Sequence, residues 1–212
     1  MPVAILLPPA TSRHPRGEPG RPGRVSDHTA CQLIARYTHH GELVIDLDAN
    51  PAIAAAAGWL ERHSLTLTDR DLAPADPHQR ESSPPPGTDP ARLVIATLPR
   101  PGASSLGGIS EWMRQVSGRL LAPGGFLLTV VTGAGAGRYT DHATTIITAA
   151  AAAGLSWHQH IIDVYVALPE HEPRAEPGTA AATAPRLVRG RHRRAHNDLF
   201  AFTNAGGEDP DA

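Results

Sequence analysis

Short apolar runs alternate along this chain with stretches whose apolar residues are spaced as on one face of a helix. Residues 27–37 show the helical spacing behind a capping residue, Ser26 or Asp27, and predict an amphipathic helix. The apolar run 43–47 predicts a first strand, and the alanine-rich stretch 52–62 predicts a second helix. This alternation of strands with helices is typical of an α/β fold.

The later part of the chain repeats the pattern. It predicts strands over 65–69, 92–98, 126–132, 156–168 and 198–203, and helices over 106–121 and 141–153. No helix separates the last two strands, so they should pair as antiparallel neighbours. We therefore expect a mostly parallel, doubly wound sheet with an antiparallel C-terminal strand.

Polar and proline-rich stretches bound the folded part of the chain. Residues 1–25 are predicted to be a disordered arm, residues 26–204 the domain, and residues 205–212 a disordered tail. Within the domain, 74–90 and 169–186 have no periodicity and are predicted loops. The first of these loops lies where such folds often carry another helix and strand, so one unit of the sheet is expected to be missing.

The composition fits a single globular domain without added cross-links. The chain has 212 residues, of which 41% are hydrophobic and 4% aromatic, so its core should contain few large side chains. A net charge of −2 gives no overall attraction to nucleic acid or to anionic membranes. Cys31 is the single cysteine, which excludes an intramolecular disulfide and a cysteine-cluster metal site. No stretch approaches the roughly 20 apolar residues of a membrane span, and we expect a soluble cytoplasmic protein.

Three segments carry a resemblance to a known family: residues 34–46, 121–131 and 194–202. The second of them combines a helix end, a Pro-Gly-Gly turn and an apolar strand. Together the segments resemble class I S-adenosylmethionine (SAM) dependent methyltransferases. More narrowly, they resemble a degenerate, shortened actinobacterial relative of the amino-group DNA methyltransferases. The resemblance implies a Rossmann-like class I methyltransferase fold over roughly residues 27–203.

The resemblance implies a SAM site after the first strand. In that family a glycine-rich turn follows this strand, because backbone must approach the cofactor where a Cβ would intrude. Here Asn50 and Ala52 stand where glycines are expected. Asp46, Asp48 and Asn50 are implied as SAM-binding residues. Asp69, after the second strand, is implied to hold the ribose hydroxyls, although a solvated turn explains this acidic residue equally well.

The resemblance also implies an acceptor site after the fourth strand of the family. There a polar residue and a carbonyl oxygen accept hydrogen bonds from the target amine, and an aromatic ring stacks on a flipped base. Thr97 and Pro99 match this pattern, whereas Leu98 replaces a proline and Arg100 replaces the aromatic residue. Thr97, Pro99 and Arg100 are therefore implied to line the acceptor site, where the guanidinium of Arg100 could stack on a base.

Two functions remain open from the sequence. The first is a SAM-dependent methyltransferase whose acceptor is a nucleic acid or a small molecule. The second is a catalytically inactive binding or regulatory module whose partner is another protein. The replaced glycines, the missing helix-strand unit and the replaced aromatic residue favour loss of the ancestral DNA-methylating activity. An edge of the sheet left by the missing unit would be available for pairing with another chain.

Three other motifs have residues that binding sites use. A phosphate loop at Gly133, Gly135 and Gly137 is rejected, since no Lys-Ser/Thr pair closes the motif. His158 and His160 are expected to share one strand face, but no third metal ligand is visible. The basic run 186–194 would contact phosphates well, but an ordinary solvated segment is slightly favoured because the chain overall is not basic.

Overall fold

The computed structural model describes residues 2–7, 23–72, 89–132, 139–165 and 196–205. Their helices and strands follow the chain in this order: β1 (Val3–Leu6), α1 (Asp27–Tyr37), β2 (Leu43–Asp46), α2 (Pro51–Trp59), β3 (His63–Thr66), α3 (Asp69–Leu72), β4 (Ala91–Leu98), α4 (Leu106–Arg119), β5 (Leu121–Val131), α5 (Tyr139–Ala152), β6 (Leu155–Val164) and β7 (His196–Asn204). Within those ranges the strands form one seven-stranded sheet in the order β1-β6-β7-β5-β4-β2-β3. β7 runs antiparallel to β5 and β6, and the other neighbouring pairs are parallel, which confirms the predicted sheet.

Helices cover both faces of the sheet, as a doubly wound fold requires. On one face α4 and α5 bury Met113 and Ile146 against the strands. On the other face α1 and α2 bury Ile34 and Ile53. The side chains of β4 alternate between these two cores. Because β4 is packed from both sides, the residues at its carboxyl end are held firmly in position.

The N-terminal region differs from the prediction. Val3–Leu6 form the edge strand β1, which pairs in parallel with β6. The backbone N–H of Gly23 donates to Oδ1 of Asn197 at 2.8 Å. The prediction of a disordered arm over 1–25 is therefore wrong for these residues, because backbone pairing with β6 and a hydrogen bond to β7 hold them to the sheet. Residues 8–22 of that arm lie outside the described residues.

The Pro-Gly-Gly segment lies inside a strand and not before one. The register between β4 and β5 shifts between Ala91 and Leu93, and residues 122–125 loop out at that shift. Gly124 has φ +70°, in the left-handed region that favours glycine. A Cβ on Gly125 would lie 2.8 and 3.0 Å from two backbone carbonyl oxygens. The two glycines therefore allow a bulge, and β5 starts earlier than the predicted residue 126.

The second predicted strand is shifted toward the N-terminus. It was expected over 65–69, but β3 ends at Thr66 and Asp69 is the first residue of the short helix α3. Among the described residues no strand lies beyond β3. The predicted loop 74–90 falls outside the described residues except for its last two positions.

The other predicted helices and strands are present, with ends that differ by a few residues. Several predictions concern residues outside the described ranges: the glycines 133–137, the loop 169–186, the basic run 186–194 and the tail beyond residue 205. Among the described helices, none combines the length and the apolar character needed to cross a membrane.

Candidate functional site

The carboxyl ends of β2 and β4 meet where the connections of the chain diverge. β2 leads through α2 to β3 on one side, and β4 leads through α4 to β5 on the other. Open α/β sheets bind their ligands in the crevice at such a switch point. Most of the predicted site residues lie in or beside this crevice, including Asp46 at the end of β2 and Thr97 near the end of β4.

Arg100 occupies the crevice with its guanidinium. Nη1 donates to Asp48 at 2.7 Å, and Nε donates to Asp69 at 2.9 Å. Nη2 donates to the carbonyl oxygen of Leu47 at 2.9 Å, and the guanidinium carbon lies 5.6 Å from the ring centroid of Trp112. The Arg100 side chain is 9% exposed, so the two carboxylates balance its charge in a largely buried position.

Thr97 adds a further contact to Asp48. Its hydroxyl donates to Oδ2 of Asp48 at 2.6 Å while Arg100 binds Oδ1, so both carboxylate oxygens are used. We call Thr97, Asp48, Asp69 and Arg100 the Arg100 network. Water reaches it mainly at Asp69, whose side chain is 41% exposed. The resemblance assigned Asp48 and Asp69 to cofactor binding, and Thr97 and Arg100 to the acceptor site. In the Arg100 network these two sets of residues are paired with each other.

Asp46 anchors the loop between β2 and α2. Its carboxylate accepts hydrogen bonds from the backbone N–H groups of Asp48, at 2.9 Å, and of Asn50. Burial raises the pKa of Asp46, and these two hydrogen bonds oppose that rise. Ala49, inside the loop, has φ +51°, a backbone conformation that residues other than glycine rarely adopt. The acceptor capacity of Asp46 is thus directed at its own loop.

Asn50 closes the N-terminus of α2. Its side-chain oxygen accepts from the N–H of Ala52 at 3.2 Å, and its Nδ2 donates to the carbonyl oxygen of Val25 at 3.0 Å. Val25, 5% exposed, packs with the core formed by α1 and α2. A helix N-terminus beside such a crevice can bind a ligand through its unpaired N–H groups. Here the Asn50 side chain binds one of those groups, and the chain preceding α1 lies over it.

The cavity that the described residues of the crevice enclose is too small for SAM. The cavity beside Asp46, Asn50 and Thr97 has a volume of about 20 Å³, which is room for roughly one water molecule. Pockets for small molecules and cofactors are typically about 300–1,000 Å³. The residues present therefore do not fit SAM in this conformation.

Pro99 is the predicted site residue that lies apart from the others. It lines a separate cavity, which also contacts α4 and α5. The remaining predicted residues form the crevice or the Arg100 network. The structure thus brings the proposed cofactor residues together with Thr97 and Arg100, and separates Pro99 from them.

The two histidines of β6 lie on opposite faces of the sheet, contrary to the prediction. A bulge next to His158 shifts the register between β6 and β7, which breaks the alternation on which the prediction relied. His158 packs edge-on against Tyr37 of the α1 core. His160 packs against Phe200 of the opposite core and pairs with Asp198 at 3.0 Å. In the described part of the chain, no three His, Cys, Asp or Glu side chains are grouped to hold a metal ion.

No protein-family model matches the sequence, and no curated protein matches it. Solved structures do resemble it. A SAM-dependent methyltransferase from Methanosarcina mazei is 8% identical, with 81% of this chain and 96% of that chain covered and a TM-score of 0.43. A release-factor-specific protein-(glutamine-N5) methyltransferase from Alicyclobacillus acidocaldarius is 11% identical, with 82% and 88% covered and a TM-score of 0.42. A TehB-like SAM-dependent methyltransferase from Corynebacterium glutamicum is 14% identical, with 82% and 86% covered and a TM-score of 0.37.

At these identities the likeness concerns the fold alone. The fold assignment rests on the sheet itself, which is mostly parallel, covered by helices on both faces, and completed by the antiparallel strand β7. This is the Rossmann-like class I methyltransferase fold expected from the sequence, and several of the solved structures that resemble it are SAM-dependent methyltransferases.

Two residues that shape the crevice were not predicted. Trp112 lies under the Arg100 guanidinium, and its only sequence signal was a large aromatic residue on the apolar face of α4. Val25 covers Asn50, and its signal was an isolated apolar residue directly before the helix cap Ser26. Apolar residues before a cap often pack on the helix that follows. The contact of Val25 with α2 is long-range and left no pattern in the sequence.

Proposed function

We propose that this chain is a methyltransferase-like protein that works as a non-catalytic binding module. The Arg100 network carries the proposal. Asp48 and Asp69, the acidic residues implied to contact SAM, are paired with a guanidinium of the same chain. Thr97, implied to contact the acceptor, is hydrogen-bonded to Asp48. The groups proposed for binding and transfer are thus engaged with one another.

The energy needed to open the crevice supports the same conclusion. To admit SAM, Arg100 must leave two carboxylates while its side chain is 9% exposed. Breaking a fully buried ion pair costs about 3–5 kcal/mol. The partial exposure of Asp48 and Asp69, 27% and 41%, reduces this to about 2–3 kcal/mol. Such a cost alone lowers the apparent affinity for a ligand roughly 30- to 150-fold.

For such a module we propose a protein partner. The edge strand β3 is the favoured contact, because the helix-strand unit expected to be missing would follow it in the chain and no strand lies beyond it among the described residues. An edge strand offers backbone N–H and C=O groups that can pair with a strand of another chain.

A second candidate is a methyltransferase in which SAM displaces Arg100. The observation that favours it is the clustering of Asp46, Asp48 and Asp69 at the switch point of the sheet, with Asp69 partly exposed to solvent. In that case the acceptor is a nucleic acid or a small molecule, and Arg100 regulates access to the crevice.

Calorimetric titration with SAM and S-adenosylhomocysteine separates the two candidates. The wild type is compared with Arg100→Ala, which removes the guanidinium, and with Asp69→Ala, which removes one carboxylate at an exposed position. The module predicts no binding to the wild type at millimolar ligand. Micromolar binding to the wild type that Asp69→Ala weakens would overturn the module and support the enzyme. Binding that arises only in Arg100→Ala would identify Arg100 as the group that closes the crevice.

A further inference from the structure

The segment Gly23–Val25, directly before the cap of α1, forms one wall of the crevice at the switch point. All three of its residues line the small cavity that Asp46, Asn50 and Thr97 also line. The segment runs from β7 to the loop between β2 and α2, past the carboxyl ends of β5 and β4. We call it the strap. Arg100 is not among the described residues that line this cavity, so the strap and the guanidinium close the crevice at different places.

Two asparagine side chains hold the strap. Asn197, which is buried at the start of β7, accepts a hydrogen bond from the backbone N–H of Gly23 at 2.8 Å and donates to the carbonyl oxygen of Arg24 at 3.2 Å. Nδ2 of Asn50 donates to the carbonyl oxygen of Val25 at 3.0 Å. The backbone of each strap residue is therefore bound by an amide side chain from another part of the fold. Asn50 stands where the resemblance implies a glycine, so the residue that replaces this glycine contacts the strap.

Gly23 lets the strap lie close against the end of β5. Its φ of +80° lies in the left-handed region that favours glycine. A Cβ at this position would lie 2.4 Å from Cγ2 of Thr132, which is closer than two such atoms can pack. The closed position of the strap therefore requires a glycine at residue 23, and a side chain there would push the strap away from β5.

The strap is held by few contacts compared with the elements beneath it. The hydrogen bonds described for it run to side chains, whereas the strands below are joined by backbone ladders. Val25 is the strap residue whose side chain packs in a core, and Arg24 is exposed. The helix α1 has its own cap, because Oγ of Ser26 accepts from the N–H of Thr29 at 3.2 Å. A segment with so few buried contacts opens at a lower free energy than the core that it covers.

We propose that the strap is an autoinhibitory contact, which occupies the crevice when closed and admits a ligand only when it withdraws. The inference deepens the proposed function and rests on it, because both concern the closure of the same crevice. Displacement of Arg100 alone then leaves the cavity covered. A ligand of the crevice competes with residues 23–25 of the chain as well as with the guanidinium.

Thiol labelling beneath the strap tests the proposal on the full chain without any ligand. Cys31→Ser removes the native thiol from every variant. Val130→Cys places a thiol in the cavity wall under the strap, at a position that is 1% exposed. Val116→Cys places one at a 0% exposed position of α4, in the core on the other face of the sheet. An aromatic disulfide reagent, followed by absorbance, gives the rate for each thiol. The thiol at position 116 reports global unfolding, and the thiol at position 130 should react faster through opening of the strap.

Three substitutions separate opening of the strap from unfolding of the chain. Gly23→Ala should accelerate labelling at position 130 about 5- to 30-fold, because a Cβ in the left-handed conformation destabilises the closed strap. Gly41→Ala is the matched control, since Gly41 has φ +77° and open space around it. Its strain persists when the strap opens, so it should accelerate labelling at position 116 and leave position 130 unchanged. Arg100→Ala should likewise leave position 130 unchanged.

Three results would overturn the proposal: a thiol at position 130 that reacts no faster than the thiol at position 116, or one that Gly41→Ala or Arg100→Ala accelerates as much as Gly23→Ala does. Circular dichroism establishes whether each variant is folded. If Val130→Cys does not fold, Ile53→Cys replaces it, because Ile53 is 0% exposed and lines the same cavity. SAM binding to the wild type in the calorimetric titration would overturn the binding module, whereas the labelling rates decide separately whether the strap opens.

Discussion

Replacing Arg100 with methionine tests whether the Arg100 network stabilises the fold as the structure implies. Methionine keeps an unbranched side chain over Trp112 but removes the charge and every donor. Asp48 and Asp69 then lose their common cation, and the carbonyl oxygen of Leu47 loses its donor. The variant therefore isolates the electrostatic part of the network.

The magnitude follows from the exposure of the three charged side chains. A fully buried pair broken from one side costs about 3–5 kcal/mol. Because Asp48 is 27% and Asp69 41% exposed, water compensates part of the loss, and we expect Arg100→Met to lower the free energy of unfolding by about 2–3 kcal/mol. In a chain of this size that corresponds to a fall in Tm of roughly 5–10 °C.

Urea denaturation followed by circular dichroism at pH 7 measures the effect. Arg114→Met is the matched control, because Arg114 pairs with Glu111 on the surface of α4 with 54% and 57% of the side chains exposed. It should change the free energy of unfolding by less than about 0.5 kcal/mol. Equal and small effects of the two substitutions would refute the argument, since the network would then contribute no more than a surface ion pair.

Two further predictions concern the cores and the sheet. Burial raises the pKa of Asp163, and the hydrogen bonds from Thr29 and Asn197 oppose that rise. Because the pKa is raised in the folded state, ionisation of Asp163 lowers the free energy of unfolding at neutral pH. This cost disappears as the pH falls below the pKa that Asp163 has in the unfolded chain. Asp163→Asn, which keeps the shape and can serve both partners, should therefore stabilise the protein at pH 7 with an advantage that shrinks toward about pH 4; urea titrations at both pH values would contradict this if the advantage grew on acidification. Gly125→Ala should lower the free energy of unfolding by about 1–3 kcal/mol, because the added Cβ would lie 2.8 Å from a backbone oxygen. Gly58→Ala, in open space on α2, should raise the free energy of unfolding by about 0.5–1 kcal/mol. Thermal or urea unfolding measures both variants, and equal effects would disprove the steric argument.

The sequence predicted the central part of the sheet because its strands are signalled locally. The strand β4 and the part of β5 from Phe126 onward are apolar runs, and the helix α4 between them carries its own cap, Ser105. β1 was missed because Val3–Leu6 carry no bounding signal, and what orders them is pairing with a strand about 150 residues later in the sequence. Single-residue insertions such as the bulge beside His158 also leave no periodic trace.

The residues of the candidate site were named through the family resemblance, and their contacts were not predicted. The resemblance implied roles for the acidic residues after β2 and at the start of α3 and for the polar residue near the end of β4, and the structure brings these residues together. That Arg100 would turn toward Asp48 and Asp69 could not be predicted, since a local pattern does not tell where a long flexible side chain finds its partners. An arginine close to two acidic positions of the same crevice is the signal that would have suggested it.

The pairing of β1 with β6 has a consequence for synthesis of the chain. Val3 is aligned with His160, so Val3–Leu6 find their partner strand only after the residues between the two strands have been made. At about 5–20 residues per second, the apolar segment Val3–Leu6 is exposed for roughly ten to thirty seconds before β6 can form. Completion of this sheet therefore depends on pairing between strands that lie far apart in the sequence, which makes its assembly slow compared with that of the local helices.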